Sequence, residues 1–389
     1  VTIRWLSADL RTGGDVTDLP TFVPEYPIRR TLGGYDTATG ALMLDGAPPH
    51  WPTLIREGGR LLACYDDQDS AKQIQWAGFV VEQTRNTGQP GVAVSLATIE
   101  AYFDRRFVGD LSYSQAGQNL IASDLVLLFA SDFPGDPGIP LYVDNIDGTD
   151  GTPRDRAYKD KDNATLLTRL SQLAGVIGGI EWTVEWEWTP NGEALQARFR
   201  VGSRIGISAA AGMVPAASFQ MPGYVLEAQQ VRSYADGNGA NEVTAYSSGQ
   251  AAADSVPTSG PIRAADFAGR PLFQKRYQPG SSITDTATLT DYARKAIAVL
   301  APGSTPVTLT AQLADETRHG NLWRVGDDVT YQIGGTVDQA DGTTREIVPQ
   351  FPGGLAGIGR AIAYEVNAAT ISPILATSEV PADQDQGAA

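Results

Sequence analysis

One pattern occurs twice in this chain and constrains its fold more than any other feature. Leu54-Ile55-Arg56-Glu57-Gly58-Gly59-Arg60 leads into an alternating strand over 61–65, a polar turn over 66–72, a second strand over 76–82 and a third over 92–96. Leu322-Trp323-Arg324-Val325-Gly326 opens the second version, followed by strands over 328–333, 359–366 and 369–372. Each version runs two apolar residues, an arginine, a glycine two positions on, an alternating strand, a turn, a glycine-bearing strand and a third strand. Glycine at a tight strand entry supplies backbone angles that other residues avoid. Period-two alternation gives each strand one buried face. The match lies in residue type and glycine position, and it predicts two similar small β-modules, over 54–96 and 322–372.

The remaining chain is long enough for that duplication plus inserts. At 389 residues it can hold two or three domains. Its 42 glycines and 24 prolines favour a turn-rich, mainly β architecture with few long helices. A formal charge of −16 argues against nonspecific capture of a phosphate backbone, which needs clustered Lys and Arg. Cys64, the single cysteine, cannot close an internal disulfide and is expected to pack as a small hydrophobe. Two histidines, His50 and His319, leave little scope for a histidine metal site or triad. No apolar run approaches the ~18 residues of a membrane span. Because Val1 is not an initiator methionine, the chain is expected to be processed or trimmed.

The fold class expected is mainly β with α+β inserts. The first β-barrel covers 1–105, with turns at Gly13-Gly14, Pro20, Pro24, Pro27 and Gly33-Gly34. An α+β insert occupies 106–222. It holds a helix over 118–130 with Leu120, Ile121, Leu125, Leu128 and Phe129 on one face, a long loop over 131–160, and a helix over 163–174 capped by Asn163. A hairpin then places Trp182, Val184, Trp186 and Trp188 on one face and Glu181, Thr183, Glu185 and Glu187 on the other. Its return strand matches them with Leu195, Ala197, Phe199 and Val201. A one-residue slip would turn every Trp to solvent, so the register should set Trp188 opposite Leu195, Glu185 opposite Arg198 and Val184 opposite Phe199. Residues 223–260 should be return strands of the second barrel, 261–303 a second helical insert, 304–376 the second barrel and 377–389 a flexible tail. The helix of the second insert is expected over 288–300, with Leu289, Tyr292, Ala293, Ala296, Ile297 and Leu300 inward.

No catalytic, cofactor or metal residue is assigned. Glu181, Glu185 and Glu187 could be glycosidase carboxylates, but they read better as an exposed face with Glu185 paired to Arg198. Trp182, Trp186 and Trp188 could stack on sugars, yet they read better as core under the 163–174 helix. Asp144, Asp147 and Asp150 lack the spacing and closing Glu of a calcium loop, and with Asp327-Asp328 they read as solvated turns. The glycine-rich 353–359 run precedes a strand rather than a helix and lacks the Lys-Ser/Thr of a phosphate cradle. Arg29-Arg30 and Arg105-Arg106 read as ordinary surface arginines or subunit contacts.

The order of motifs resembles minor tail proteins of actinobacterial siphophages. The resemblance rests on Ala8-Asp9-Leu10-Arg11-Thr12-Gly13, Asp18-Leu19-Pro20, Arg29-Arg30-Thr31-Leu32, Gly58-Gly59-Arg60 and Trp76-Ala77-Gly78-Phe79-Val80-Val81. It continues through Glu100-Ala101-Tyr102-Phe103-Asp104-Arg105-Arg106 and Gln118-Asn119-Leu120-Ile121-Ala122. More broadly, the layout is similar to the baseplate-hub family, which includes hubs of contractile phage tails and of type VI secretion spikes. The resemblance implies a homotrimer in the virion at the tail tip, assembled in the bacterial host cytoplasm. Two barrels per subunit would then meet a six-fold tail tube or distal tail protein. It implies tip fibre or spike and tape-measure proteins as further partners, and phage DNA passing through a negatively lined channel without specific binding. Family hubs often carry a C-terminal peptidase, lysozyme or spike, and the sequence stops just after the second barrel, so no lytic role is expected of it. The rivals are a distal tail protein, a carbohydrate-binding tip protein using Trp182, Trp186 and Trp188, and a glycan hydrolase using Glu185 and Glu187.

Overall fold

The computed structural model describes residues 3–131, 138–176, 178–247, 256–265, 267–279, 285–303, 305–339 and 343–376. Val1, Thr2 and the tail expected over 377–389 lie outside the described residues. The fold is mainly β with helical inserts. It divides into two compact units, one of Val1–Ala228 with Leu309–Leu375, the other built from Gln229–Thr308.

In the first unit both meanders form. Arg60–Asp66, Ile74–Arg85 and Gly91–Ala97 pair antiparallel in sequence order. Ile3–Asp9 flanks the first of them and Thr37–Met43 the last, and two short strands complete a seven-stranded sheet. In the second version Asp328–Ile333, Leu355–Val366 and Thr370–Ala376 are successive neighbours in another seven-stranded sheet, flanked by Ser218–Met221 and Val307–Gln312. The three strands measure 7, 12 and 7 residues in one sheet and 6, 12 and 7 in the other. The outer flanking strand is antiparallel in the first sheet and parallel in the second. In place of the expected pair of small barrels stand two sheets, each with its own central three-stranded meander of the same order.

Two local expectations fail. Every residue of Arg60–Asp66 is buried, so the strand has no solvent face. Leu61, Ala63 and Tyr65 join the core shared with the insert, while Leu62 and Cys64 are buried on the opposite face. A strand covered on both sides reads as a near-continuous apolar run, which alternation alone does not reveal. Second, Ile28–Thr31 belongs to the second sheet, antiparallel to Leu355–Val366, although it lies within the stretch assigned to the first module.

The insert packs as a layer of helices on a three-stranded sheet. The hairpin Glu181–Trp188 and Leu195–Gly202 adopts the expected register at Trp188–Leu195, Glu185–Arg198 and Val184–Phe199. The helix Leu166–Ala174 sends Leu166, Leu170 and Leu173 into one core with Trp182, Val184, Trp186 and Phe199. Its cap is Thr165, whose hydroxyl accepts from the Thr168 N–H, whereas Asn163 takes a left-handed conformation at the end of the preceding 3-10 turn. The helix Gln118–Phe129 buries Ile121, Ala122, Leu125 and Val126, while Leu120 and Leu128 face outward. The loop expected over 131–160 contains two strands. Leu141–Asn145 runs parallel to Leu195–Gly202, and Pro153–Tyr158 runs antiparallel to Leu111–Gly117. Both partners are distant in sequence, so the Asp, Gly and Pro content dominated the local reading.

The expected return strands over 223–260 divide. Val225–Gln230 enters the second sheet, but Glu242–Ala245 instead pairs with Ile262–Arg263 and Gln274–Tyr277 in the second unit. There the helix Thr286–Leu300 covers Val243 and Ala245 with Leu289, Ala293, Ala296, Ile297 and Leu300. The inward stripe is the one its spacing predicts.

Candidate functional site: a buried charged junction

Within the first unit, the polar face of the Trp hairpin from Glu181 to Glu185 meets the second sheet instead of solvent. Glu187 stays partly exposed and accepts from Tyr142 and Gln196 of the insert. Strand alternation places Glu181, Thr183 and Glu185 opposite the Trp side. Thr183 is buried, and the Glu185 side chain is only 11% exposed. Arg200 Nη1 approaches Glu185 at 3.2 Å and Arg324 Nη1 donates to it at 2.8 Å. Burial by itself raises the pKa of Glu185; the guanidiniums of Arg324 and Arg200 overcome that and hold it below the ordinary value. Although Glu185 sits opposite Arg198 in register, Arg198 turns to Asp144 at 2.6 Å. The exposed face with a Glu185–Arg198 pair is therefore corrected to a packed interface.

Glu181 accepts from both terminal nitrogens of Arg360, from Nη1 at 2.7 Å, and also from the Ile205 N–H at 2.7 Å. Asp327 and Asp328, read from sequence as a solvated turn, are both buried. Asp327 accepts from the Ile207 and Arg324 N–H groups, each at 2.7 Å. Asp328 accepts from Arg204 and from the Ala209 N–H, also at 2.7 Å. These carboxylates tie the link after the hairpin onto the entry of the second meander. Charge-assisted bonds to backbone N–H groups fix such a link in one conformation.

Arg30 is likewise no surface arginine. It is buried and donates from Nη1 to Glu100 Oε2 at 2.8 Å, while its Nη2 reaches Glu100 Oε1 and the Val184 carbonyl. Asp66, assigned to a polar turn, is fully buried and accepts from Arg318 Nε at 3.1 Å and Nη2 at 2.5 Å. His319 is buried in contact with Trp323 and stacked on Tyr364 with ring centroids 4.4 Å apart. Burial pushes its pKa down to about 3, so the ring is neutral at physiological pH.

The sequence-derived alternatives fare differently. Trp182 and Trp186 are 1% and 7% exposed, and Trp188 donates its indole N–H to the Lys72 carbonyl at 2.9 Å, so Trp182 and Trp186 are core and not a sugar platform. A glycosidase acid needs a carboxyl that keeps its proton near neutrality, and arginine pairing drives Glu185 the other way. Asp144 and Asp147 are held by Arg198 and by the Ser203 N–H. Among the described residues no three His, Cys, Asp or Glu side chains converge as metal ligands. His50 precedes the short helix Trp51–Leu54, and the 353–359 run, expected ahead of a strand, is itself strand from Leu355 onward. An open cleft of about 1260 Å3 is lined by Tyr35, Arg56, Phe79, Tyr102 and Arg105 among others.

The residues that sequence reasoning missed are Arg324, Arg360, Arg204 and Arg318. Arg324 and Arg360 stand at fixed places in the second meander, which was the available signal. Their partners are 139 and 179 positions away, beyond any local pattern.

These buried ion pairs tie together the two seven-stranded sheets of the first unit, in a chain whose fold is similar to that of phage tail proteins. The 43 kDa tail protein of prophage MuSo2 from Shewanella oneidensis matches it with a TM-score of 0.56 at 14% identity, over 98% of this chain and 99% of that one. The tail protein from Neisseria meningitidis MC58 matches with a TM-score of 0.54 at 14% identity, over 98% and 99%. A chain of the Francisella PdpA–VgrG complex matches at 0.52 and 7% identity, over 98% of this chain and 58% of that one. No family model matches the sequence, and no curated protein matches it. The likeness resides in the fold, and at that level the broader resemblance to phage tail and baseplate-hub proteins holds.

Proposed function

We propose that this chain is a structural virion protein, a trimeric tail-tip or baseplate hub of the actinobacteriophage type. Its two meander sheets would meet a six-fold tail tube or distal tail protein, and its three-fold axis would surround the DNA exit channel. The observation that carries the reading is the duplicated meander, within a chain that over 98% of its length is similar in fold to one prophage tail protein and to a second tail protein. Three copies of a duplicated module present six quasi-equivalent surfaces, which lets a three-fold object seat on a six-fold one. The buried arginine–carboxylate junction supports the reading, because it fixes the two sheets of one unit in a single arrangement. The charge of −16 suits a channel through which a polyanion slides without sticking. The protein acts by surface complementarity, not turnover, with tip fibre or spike and tape-measure proteins as further neighbours. Native mass measurement tests it: a trimer is expected, and a hexamer would favour a distal tail protein instead.

A further inference from the structure

Gln75, Trp186 and His319 come from three separate parts of the first unit: the long strand Ile74–Arg85, the Trp hairpin, and the turn before the second meander. Each is more than nine-tenths buried. Each also carries one buried polar atom with no protein partner: Gln75 Oε1, Trp186 Nε1 and His319 Nδ1. All three residues line a single cavity of about 30 Å3. A cavity needs roughly 10–15 Å3 to hold a water, and such a water needs two to four polar partners.

The hydrogen-bond chemistry around this cavity is determined. His319 Nε2 accepts from the Val325 N–H at 3.3 Å, so in the neutral ring the proton sits on Nδ1, which becomes a donor. Gln75 Nε2 donates to the Gln73 and His319 carbonyls, each at 3.1 Å. That fixes its amide, since the flipped form would set Oε1 against two carbonyl oxygens. The three orphaned atoms are thus two N–H donors and one carbonyl acceptor. A cation cannot accept from two N–H groups. An anion cannot donate to Gln75 Oε1, and the lining residues Glu100 and Glu185 are already paired with arginines, Glu100 with Arg30 of the same lining.

We propose that one structural water is built into this cavity. It accepts from Trp186 Nε1–H and His319 Nδ1–H, and donates to Gln75 Oε1. It completes the joint where the first sheet, the insert and the second meander meet. Buried polar groups are rarely left without a partner, and a water that serves three of them is retained as part of the fold.

The test needs only the intact chain. A crystal structure near 1.5 Å should show one solvent peak within hydrogen-bond distance, ~2.7–3.2 Å, of all three atoms. In solution, the Trp186 indole proton should exchange magnetisation with a long-lived water, and nitrogen shifts should place the His319 proton on Nδ1. A dry cavity in a map that resolves other buried waters would overturn the proposal. So would a peak with the anomalous signal of an ion, or a His319 ring protonated on Nε2.

Discussion

Arg30 and Glu100 meet side by side in the interior of the first unit, although one lies on a strand of the second sheet and the other follows the last meander strand of the first. The pair therefore joins the two sheets, and Arg30 extends the link to the insert through the Val184 carbonyl. Replacing Arg30 with Ala leaves a buried carboxylate without its counter-charge, which costs on the order of 3–5 kcal/mol. The double change Arg30→Met with Glu100→Leu should recover most of that loss, because two apolar side chains of similar volume need no compensation. Denaturant titration of wild type and the two variants checks both the loss and its recovery; an Arg30→Ala midpoint equal to wild type would show that the pair does not join the sheets.

The Trp face is core, so truncating it should act on stability. Trp182→Ala removes a fully buried side chain and should cost about 3–5 kcal/mol. Thermal melting with a parallel glycan-array measurement separates the readings: the expected result is a lowered Tm with no glycan signal in either protein. A wild-type glycan signal lost in Trp182→Ala at unchanged Tm would restore the sugar-binding reading.

His319 makes stability depend on acidity in a defined window. Its folded pKa is depressed from the ordinary 6.5 to about 3, so the unfolded chain takes up a proton more readily. Stability is complete above pH 6.5 and falls as the pH drops from there towards 3, by up to ~1.4 kcal/mol per pH unit. Glu185 is attracted to the protonated ring, while Arg324, Arg30 and Arg200 oppose it. Between pH 6.5 and 5 this residue should set the downward slope, with Asp327, whose carboxyl burial raises in pKa, acting in the opposite sense. His319→Gln should flatten it, as read from denaturation midpoints across that interval.

Gly13 gives the opening motif a physical role. Its φ is +70°, and a Cβ there would stand 1.7 Å from the Leu195 carbonyl oxygen at the start of the hairpin's return strand. The Leu195 N–H donates to the Gly13 carbonyl at 2.9 Å. Gly13→Ala must move one backbone segment off the other, and left-handed strain adds roughly 1–3 kcal/mol. Hydrogen exchange should show the Leu195 amide losing protection, whereas Gly14→Ala, with negligible crowding, should leave it unchanged.

Local periodicity made the Trp hairpin legible to the residue, since apolar and polar side chains alternate without interruption from Trp182 to Trp188. The stripe of the helix Thr286–Leu300 and the order of both meanders were legible for the same reason. The charged junction was not. Glu185 reads as solvent-facing until the second sheet is folded against it, and Arg324 lies 139 positions further on. Arg30 and Asp66 were misassigned in the same way, because a buried ion pair leaves no periodic trace. The strand Leu141–Asn145 was hidden by the turn-forming residues around it and pairs with a partner that comes more than 50 positions later.

The most direct test of the account is a reconstruction of the tail tip containing this chain. It should show three copies around the channel, with the Arg60–Ala97 and Asp328–Ala376 meanders of each copy both seated against the neighbouring six-fold ring. Six copies, or three copies touching that ring through only one meander, would contradict it.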